Sequence, residues 1–159
     1  MVADSADLSD LLRPTAVAID VGVAGKKALL NFVATMVARD LALDPAMLAE
    51  RLAERERLGS TGFGGGVALP HAKVAALSQV TGVFVRLAQP AEFAAIDHLP
   101  VDLVFALFSP VDAGAVHLKA LARVSRRMRD AALLAKLRGA ASTDAVYALL
   151  AGVEAQDAS

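Results

Sequence analysis

The sequence predicts a single three-layer α/β domain, in which a central mixed β-sheet is flanked by helices on both faces. Residues 101–108 are almost continuously apolar, which is typical of a central strand covered on both sides. Segments with helical spacing of apolar residues alternate with strand-like segments along the chain. The 159 residues, of which 56% are hydrophobic, are enough to bury one core. We expect one domain over residues 1–159, with an ordered core from about residue 8 to residue 153.

The N-terminal half is predicted to contain a short helical turn, a strand and two helices. Apolar residues at 8, 11 and 12 favour the turn, and Pro14 is expected to end it because proline lacks the N–H that a helix needs. Asp44 is a helix cap, and Pro45 suits the first position of the helix that follows. The predicted bounds are 16–21 for the strand, about 26–40 for the first helix and about 45–56 for the second.

The C-terminal half is predicted to contain two longer strands and three helices. Ser109 and Pro110 end the central strand, and Ser142 is a cap for the last helix. The predicted bounds are 80–87 and 101–108 for the strands, 91–93 for a short extended piece, 97–100 for a turn, and about 114–129, 131–140 and 143–152 for the helices. The tail from residue 154 is expected to be frayed.

Composition disfavours several classes of function. Lysine and arginine number 16 against 17 aspartate and glutamate, so the chain has no basic excess for nucleic acid or an anionic membrane. No apolar run approaches the ~20 residues of a membrane-spanning helix, and we expect no secretory signal and no membrane insertion. The chain has no cysteine, which excludes disulfides and thiolate chemistry and fits a cytoplasmic location.

A glycine-rich loop leads into a short apolar segment that ends in a proline and a histidine. Residues 59–66 include five glycines, whose backbone can take positive φ and turn several N–H groups toward one anion. Pro70 restricts the residue before it to extended geometry, so residues 67–69 are predicted to form a short strand with His71 held at its end. Alternatively, the glycines form only a tight connection and His71 is a structural group. The loop matches neither a Walker A nor a dinucleotide-binding pattern, which disfavours ATP and NAD.

Two more side chains are predicted to reach this site. Arg55 falls in the last turn of the second helix and points toward the glycine-rich loop, although a solvated cation at a helix end is the alternative. His117 falls in the first turn of the helix after the central strand, where α/β sheets place ligand groups. It also leads the apolar stripe of that helix, so a core role is the alternative. His98 is interpreted as exposed and idle, and the arginines of residues 123–129 as a solvated helix face.

Two stretches of the chain resemble the signatures of one bacterial protein family. Residues 55–71 read Arg-Glu-x-x-Gly-Ser-Thr-Gly-x-Gly-x-Gly-x-Ala-x-Pro-His, and the second stretch is residues 93–107 with His117 and Leu118 following. Together they resemble the IIA proteins of fructose/mannitol type, the EIIA type-2 domain, in the phosphoenolpyruvate-dependent sugar phosphotransferase system. The resemblance covers nearly the whole chain, from about residue 8 to about residue 150.

This resemblance implies a phosphotransferase component that needs no metal and no cofactor. His71 is the implied phosphoryl acceptor, through its Nε2 atom, and an HPr-like phosphocarrier protein is the implied donor. Arg55 and His117 are the implied catalytic partners, which donate hydrogen bonds to phosphoryl oxygens. The loop is predicted to bind the remaining oxygens through backbone N–H groups and hydroxyls, at Gly59, Ser60, Thr61, Gly62 and Gly64.

Within that family the chain is most similar to the nitrogen-regulatory branch, because no transporter domain is attached to its single IIA-sized unit. The implied function is regulatory: the phosphorylation state controls binding to targets such as potassium-transport proteins or sensor kinases. Two alternatives remain. In the first alternative, the chain is the IIA component of a fructose/mannitol-type sugar-uptake system. In the second, it is a non-catalytic module that binds small anions.

Overall fold

In a computed structural model, which describes residues 7–152, these residues form a six-stranded mixed sheet and five helices. The strands are β1 (Leu12–Val21), β2 (Gly62–Gly64), β3 (Val67–Ala68), β4 (His71–Val74), β5 (Thr81–Ala91) and β6 (Val101–Pro110). The helices are α1 (Lys26–Leu41), α2 (Pro45–Leu58), α3 (Ala115–Arg127), α4 (Ala131–Gly139) and α5 (Thr143–Ala151). Among residues 7–152, no helix is both long enough and apolar enough to cross a membrane. The predicted frayed tail lies outside the described residues.

The sheet is built around β5 and β6, which pair with each other in antiparallel orientation. The strand order is β1-β5-β6-β3-β2, and β4 also pairs with β6. β1 runs parallel to β5, and both β3 and β4 run parallel to β6. The short strands β3 and β4 therefore lie end to end along the same side of β6. The break between them at residues 69–70 places His71 opposite Leu107.

Helices cover both faces of the sheet, which confirms the predicted three-layer architecture. In β6 only Asp102 and Pro110 are partly exposed, so this strand is buried on both sides. α1 packs on α2 and against β5 and β1, whereas α3 packs against β6 and α5 against β1. The core contains four fully buried phenylalanines, at positions 84, 93, 105 and 108. Burial of each such side chain contributes about 1.5–3 kcal/mol to folding.

β1 begins earlier than predicted, and Pro14 lies inside it. Residues 9–11 form a turn, in which the Leu11 N–H donates to the Leu8 carbonyl at 2.9 Å, and the strand starts directly afterwards. The prediction that Pro14 ends a helical turn is therefore wrong. β1 is an edge strand whose register with β5 is irregular between Leu12 and Val17, and at such a position a proline is tolerated.

β5 is longer than predicted, and it too contains a proline in a stretch of irregular pairing. The strand continues through Pro90 to Ala91, so the separate extended piece expected at residues 91–93 begins inside β5. Ala91 pairs with Val101 after a shift in register, which marks a bulge. A proline in this irregular stretch does not interrupt a regular ladder.

The helix caps are as predicted. The Asp44 carboxylate accepts a hydrogen bond from the Ala46 N–H at 3.1 Å, and Pro45 opens α2. The Ser142 hydroxyl accepts from the Ala145 N–H at 3.1 Å at the start of α5. Caps of this kind are each worth about 1 kcal/mol. The Asp44 cap fixes where α2 begins.

Candidate active site

Pro70 positions His71 at the start of β4. The Pro70 carbonyl accepts a hydrogen bond from the Leu107 N–H at 2.9 Å, which ties the break between β3 and β4 to the central strand. The short strand predicted over residues 67–69 is present as β3, but His71 begins the next strand instead of ending this one, because the chain passes Pro70 and continues along β6. β6 has ten residues, so both short strands fit beside it.

The hydrogen bonds of the His71 ring determine which nitrogen is free to react. Nδ1 lies 2.8 Å from the carbonyl oxygen of Leu69. Since a carbonyl oxygen can only accept, Nδ1 carries the proton and the lone pair is on Nε2. Nε2 accepts a hydrogen bond from the Nε of Arg55 at 3.1 Å. The half-buried ring is therefore a neutral imidazole whose nucleophilic nitrogen faces a guanidinium.

Arg55 is held in place by the end of its own helix. It lies in the last turn of α2, and its Nη1 donates to the Gly59 carbonyl at 2.9 Å. The Gly59 N–H in turn donates to the Glu56 carbonyl at 3.2 Å, which closes the helix end. The guanidinium is always charged and presents its donors in a rigid plane. The helix end thus keeps a fixed positive charge beside His71.

His117 reaches the same place from α3. The centroid of its ring is 5.6 Å from that of the His71 ring, and the two planes are inclined at 51°. The residue is 6% exposed, and its Nδ1 lies 2.6 Å from the hydroxyl oxygen of the buried Ser109. This bond orients the ring and leaves Nε2 as the nitrogen available to a ligand. Sequence reasoning treated Ser109 only as the end of a strand and missed this contact.

The three predicted side chains, Arg55, His71 and His117, line one open cleft of about 800 Å³, which we call the His71 cleft. Its wall also includes two exposed apolar side chains, since Leu58 is 85% exposed and Val111 is 56% exposed. The residues that line this cleft come from α2, from β4 and the turn after it, from α3 and from the segment between β6 and α3. An imidazole nitrogen with a free lone pair, a guanidinium, a second imidazole and apolar surface thus meet at one opening.

The surroundings of both histidines favour their neutral forms. The pKa of His71 is lowered, and burial is the largest cause. The Leu69 hydrogen bond and the Glu56 charge raise this pKa, whereas the Arg55 charge lowers it. Burial also lowers the pKa of His117, and it is lowered further by the charge of Lys73 and by the positive charge that His71 carries when protonated. An imidazole with a pKa below the ordinary value of about 6.5 is neutral at pH 7. Nucleophilic attack by Nε2 requires that neutral form.

The glycine-rich loop forms a hairpin, in which β2 pairs with β3 in antiparallel orientation. Three of its donors are bound within the protein, in the pairs Ser60 Oγ–Phe93 O (2.7 Å), Thr61 Oγ1–Glu56 Oε1 (2.7 Å) and Gly65 N–Asp97 Oδ2 (3.0 Å). These donors face α2 and the segment 93–97. The predicted binding of phosphate by Gly59, Ser60, Thr61, Gly62 and Gly64 stays a prediction.

Glu56 stands in the first motif, but sequence reasoning gave it no role in the site. Its side chain is 5% exposed and accepts hydrogen bonds from Lys26 and Thr61. A signal for it was present, because Glu56 continues the buried stripe of Leu48 and Leu52 at a spacing of four residues. A carboxylate on a buried stripe needs partners.

The third histidine lies at the other end of β6. His98 is exposed, as expected, in the turn that precedes this strand, and its φ is 62°. In the part of the chain that the structure describes, no group of three or more His, Asp or Glu side chains is arranged to hold a metal ion.

Comparison with known proteins identifies the family. Residues 10–153 match the family described as "Phosphoenolpyruvate-dependent sugar phosphotransferase system, EIIA 2". The chain is 42% identical over 144 residues to a nitrogen regulatory protein of Bradyrhizobium diazoefficiens, which covers 91% of this chain and 94% of the relative. It is 37% identical over 148 residues to a nitrogen regulatory protein of Escherichia coli K12, which covers 92% of this chain and 91% of the relative.

A solved structure agrees with these sequence comparisons. The crystal structure of nitrogen regulatory protein IIA-Ntr from Neisseria meningitidis has a TM-score of 0.85 to this chain at 34% identity, with 90% of this chain and 98% of that chain covered. This similarity confirms the mixed α/β fold and the resemblance to the nitrogen-regulatory branch. The chain belongs to the EIIA 2 family of the phosphoenolpyruvate-dependent sugar phosphotransferase system.

Proposed function

We propose that this protein is a phosphohistidine carrier, in which Nε2 of His71 accepts a phosphoryl group from an HPr-like phosphocarrier protein. The observation that carries the proposal is the pair of hydrogen bonds on one ring. Nδ1 donates to the Leu69 carbonyl at 2.8 Å, and Nε2 accepts from the Nε of Arg55 at 3.1 Å. The first bond leaves the lone pair on Nε2, and the second brings a permanent positive charge to the atom that would receive phosphorus.

In the proposed transfer, Nε2 of His71 forms an N–P bond while the N–P bond of the donor phosphohistidine breaks. The electron pair of the breaking bond returns to the donor ring, and each ring keeps the proton on its second nitrogen, so that atoms and charge balance. Transfer of this kind passes through a loose, in-line transition state, to which a protein contributes position and charge. The Nδ1 proton stays bonded to the Leu69 carbonyl and keeps Nε2 aligned.

Arg55 and His117 bind the phosphoryl oxygens in this proposal. Arg55 exchanges its bond to Nε2 for bonds to the oxygens, which come within reach of its planar fork once phosphorus is on Nε2. His117, whose ring centroid is 5.6 Å from that of His71, donates to a further oxygen through its own Nε2. Donors placed in advance stabilise the charge that develops in the transition state. No metal or cofactor takes part.

The loop has a supporting role in this proposal. Its two hydroxyl groups donate to Phe93 and Glu56, and its Gly59 carbonyl accepts from Arg55. These bonds support the idea that the loop holds Arg55 and the start of β4 in register. Binding of phosphate by the loop itself is the alternative, and substitution of Ser60 separates the two.

We further propose that the phosphorylation state regulates other proteins in the cytoplasm. The relatives reported above carry the name nitrogen regulatory protein, and the match covers 94% of the Bradyrhizobium protein. Targets such as potassium-transport proteins or sensor kinases would distinguish the two states by the charge in the His71 cleft. The sugar-uptake alternative is favoured by one observation, the description of the family as a sugar phosphotransferase component.

The proposed phosphorylation is tested in a mixture of the protein, phosphoenolpyruvate, the first enzyme of the system and the phosphocarrier, analysed by intact mass. We expect one acid-labile phosphoryl group on the wild type and none on His71→Ala. Glu50→Ala, a change on the exposed face of α2, is the control and should be labelled normally. Labelled His71→Ala protein would refute the site. Phosphate binding without any gain of covalent mass would support the anion-binding module.

A second measurement separates the regulator from the sugar-uptake component. The phosphorylated protein is mixed with a fructose-type IIB domain, and the phosphoryl group on each partner is followed with time. We expect slow transfer or none, together with binding to a regulatory target that differs between the two phosphorylation states. Rapid, complete transfer to the IIB domain would contradict the regulatory proposal.

A further inference from the structure

The side chain of Glu56 is buried next to the residues of the proposed reaction, although it binds neither the His71 ring nor the phosphoryl group. It turns inward from the last turn of α2, whereas its neighbour Arg55 turns toward the His71 cleft. A buried carboxylate is costly unless hydrogen bonds and opposite charge satisfy it. Its partners therefore indicate what the chain gains by keeping it there.

Three donor groups from two residues, Lys26 and Thr61, converge on this carboxylate. Lys26, the first residue of α1, donates from Nζ to Oε2 at 3.0 Å. Thr61 donates twice, from its backbone N–H to Oε2 at 2.9 Å and from its hydroxyl to Oε1 at 2.7 Å. Both carboxylate oxygens are thus used, and the loop is fastened to α1 and α2 at a single residue.

A continuous set of hydrogen bonds leads from Thr61 to the reacting ring. The Thr61 carbonyl accepts from the Leu69 N–H at 3.0 Å. The Leu69 carbonyl accepts from the Nδ1–H of His71 at 2.8 Å. The carboxylate of Glu56 therefore holds the N–H and the hydroxyl of Thr61. The carbonyl of the same residue binds Leu69, whose own carbonyl sets the tautomer of His71.

A second connection runs to Arg55. The Glu56 carbonyl accepts from the Gly59 N–H at 3.2 Å, and the Gly59 carbonyl accepts from the Nη1 of Arg55 at 2.9 Å. The loop between Gly59 and Thr61 is thus held at one end by the backbone of Glu56 and at the other by its side chain. Arg55 takes its position from the held loop.

We propose that Glu56 is a positioning residue for phosphoryl transfer, whose carboxylate holds Thr61 and thereby fixes the Leu69 carbonyl and the tautomer of the His71 ring. The inference rests on the proposed function insofar as His71 is the acceptor. Glu56 does not touch the phosphoryl group. Its effect is on which nitrogen of His71 carries the proton, and on how accurately Nε2 faces the donor.

The charge of Glu56 also suits the product of the transfer. After phosphorylation of Nε2, the His71 ring keeps its Nδ1 proton and carries a positive charge. A nearby carboxylate favours a positively charged ring. The charged and titratable groups around the ring are Arg51, Glu54, Arg55 and Glu56 from α2, Lys73 from β4 and His117 from α3. Among these, Glu56 raises the pKa of His71 and Arg55 lowers it.

The test compares Glu56→Gln with Glu50→Gln, which makes the same change on an exposed residue of the same helix. The ring nitrogens of His71 are observed by NMR in protein labelled with 15N-histidine. In the wild type and in Glu50→Gln we expect the Nδ1–H tautomer alone. In Glu56→Gln we expect an appreciable fraction of the Nε2–H tautomer and a lower pKa of His71. Phosphorylation should slow by between about tenfold and 100-fold in kcat, with little change in KM for the phosphocarrier.

Wild-type ring shifts and a wild-type rate in folded Glu56→Gln would overturn the inference. If that variant does not fold, Thr61→Val and Lys26→Met each remove one donor to the carboxylate and are expected to shift the tautomer in the same direction. An unchanged tautomer in both would overturn it equally. The NMR readout does not depend on phosphorylation. A wild type that is never labelled therefore refutes the proposed function, while the ring tautomer still decides the role of Glu56.

Discussion

Two clefts of similar size lie on either side of α2, and they differ in the groups that accept hydrogen bonds from their cations. The His71 cleft has a volume of about 800 Å³, and a second cleft between α1 and α2, called the α1–α2 cleft below, has a volume of about 730 Å³. In the α1–α2 cleft, the cations Lys26 and Arg57 lie 3.0 and 3.1 Å from the carboxylates of Glu56 and Glu50. These charges are already neutralised within the protein.

In the His71 cleft, Arg55 donates instead to two uncharged acceptors, the His71 ring and the Gly59 carbonyl. Neither acceptor cancels its charge, so the guanidinium remains available to an anion. The neighbouring imidazole is neutral and presents a lone pair. Volume does not separate the two clefts, and each has an ion-paired arginine, since Arg51 pairs with Glu54 in one and Arg57 with Glu50 in the other. The difference is the arginine that donates to an imidazole nitrogen, which is found in the His71 cleft. Matched substitutions on the two sides of α2 test this difference.

The largest effect is expected from His71→Ala, because it removes the nucleophilic nitrogen. Phosphorylation, measured by gain of mass, should fall to background. The matched change in the α1–α2 cleft is Lys27→Ala, which should leave the rate of labelling at the wild-type value. Loss of labelling in Lys27→Ala, with its fold intact, would show that the second cleft also serves the reaction.

The next largest effect is expected from Arg55→Ala. Removing one charged donor from a phosphoryl-transfer site should slow labelling by about 10²–10³-fold, measured in single turnover by rapid quenching. Arg55→Lys should recover part of the rate, because lysine keeps the charge but lacks the planar fork. Arg57→Ala removes an arginine two residues away that is already paired with Glu50, and it should be nearly silent. Equal effects of the two alanine substitutions would contradict the distinction between the clefts.

A smaller effect is expected from His117→Ala. This protein should still be labelled, at a rate reduced about tenfold, which corresponds to loss of one hydrogen bond of roughly 1.4 kcal/mol. Reverse transfer to the phosphocarrier should weaken as well, and it is measured by adding unphosphorylated carrier to labelled protein. Wild-type rates of phosphoryl transfer in both directions would show that His117 is only a buried core residue.

The dependence of labelling on pH should reflect the lowered pKa of His71. The neutral ring is the nucleophile, so activity is lost as the pH falls through the pKa of the folded protein. Burial lowers that pKa, so the midpoint of the loss should lie below pH 6.5. NMR titration of the His71 ring separates this effect from titration of the phosphocarrier. A midpoint above pH 6.5 would show that the charge of Glu56 and the Leu69 hydrogen bond outweigh burial.

The smallest effect on phosphorylation is expected from Ser60→Ala. The hydroxyl donates to the Phe93 carbonyl at 2.7 Å and accepts from the Gly62 N–H at 3.1 Å, so its loss should lower the free energy of unfolding by about 1 kcal/mol. Urea denaturation measures this change. The rate of labelling should stay near that of the wild type. A loss of rate as large as that of Arg55→Ala would instead place a phosphoryl oxygen in the loop.

The fold could be predicted wherever its signals are local. The apolar run of residues 101–108 lies within the buried β6, and Asp44 caps α2 as its sequence indicates. The prediction for Pro14 and the predicted end of β5 are wrong at strands that contain a proline. Whether a strand tolerates proline depends on edge position and bulges, and these are set by partner strands that are distant in the sequence.

The candidate site shows the same division. His71, Arg55 and His117 could be predicted from the motifs that contain them, and the structure brings these three side chains to one cleft. The hydrogen bonds of Ser109 with His117 and of Thr61 with Glu56 could not be predicted from the sequence, because the packing of distant elements decides where a hydroxyl points. Two signs of a role for Glu56 were available, its place in the first motif and the spacing that puts it on the buried stripe of α2.

The central claim is that Nε2 of His71 carries the phosphoryl group, because the Leu69 carbonyl holds the proton on Nδ1. It is tested most directly by 31P–15N coupling in the phosphorylated protein labelled with 15N-histidine. We expect coupling from phosphorus to Nε2 of His71, with Nδ1 still bearing its proton. Coupling to Nδ1 of His71, or to a nitrogen of His98 or His117, would contradict it.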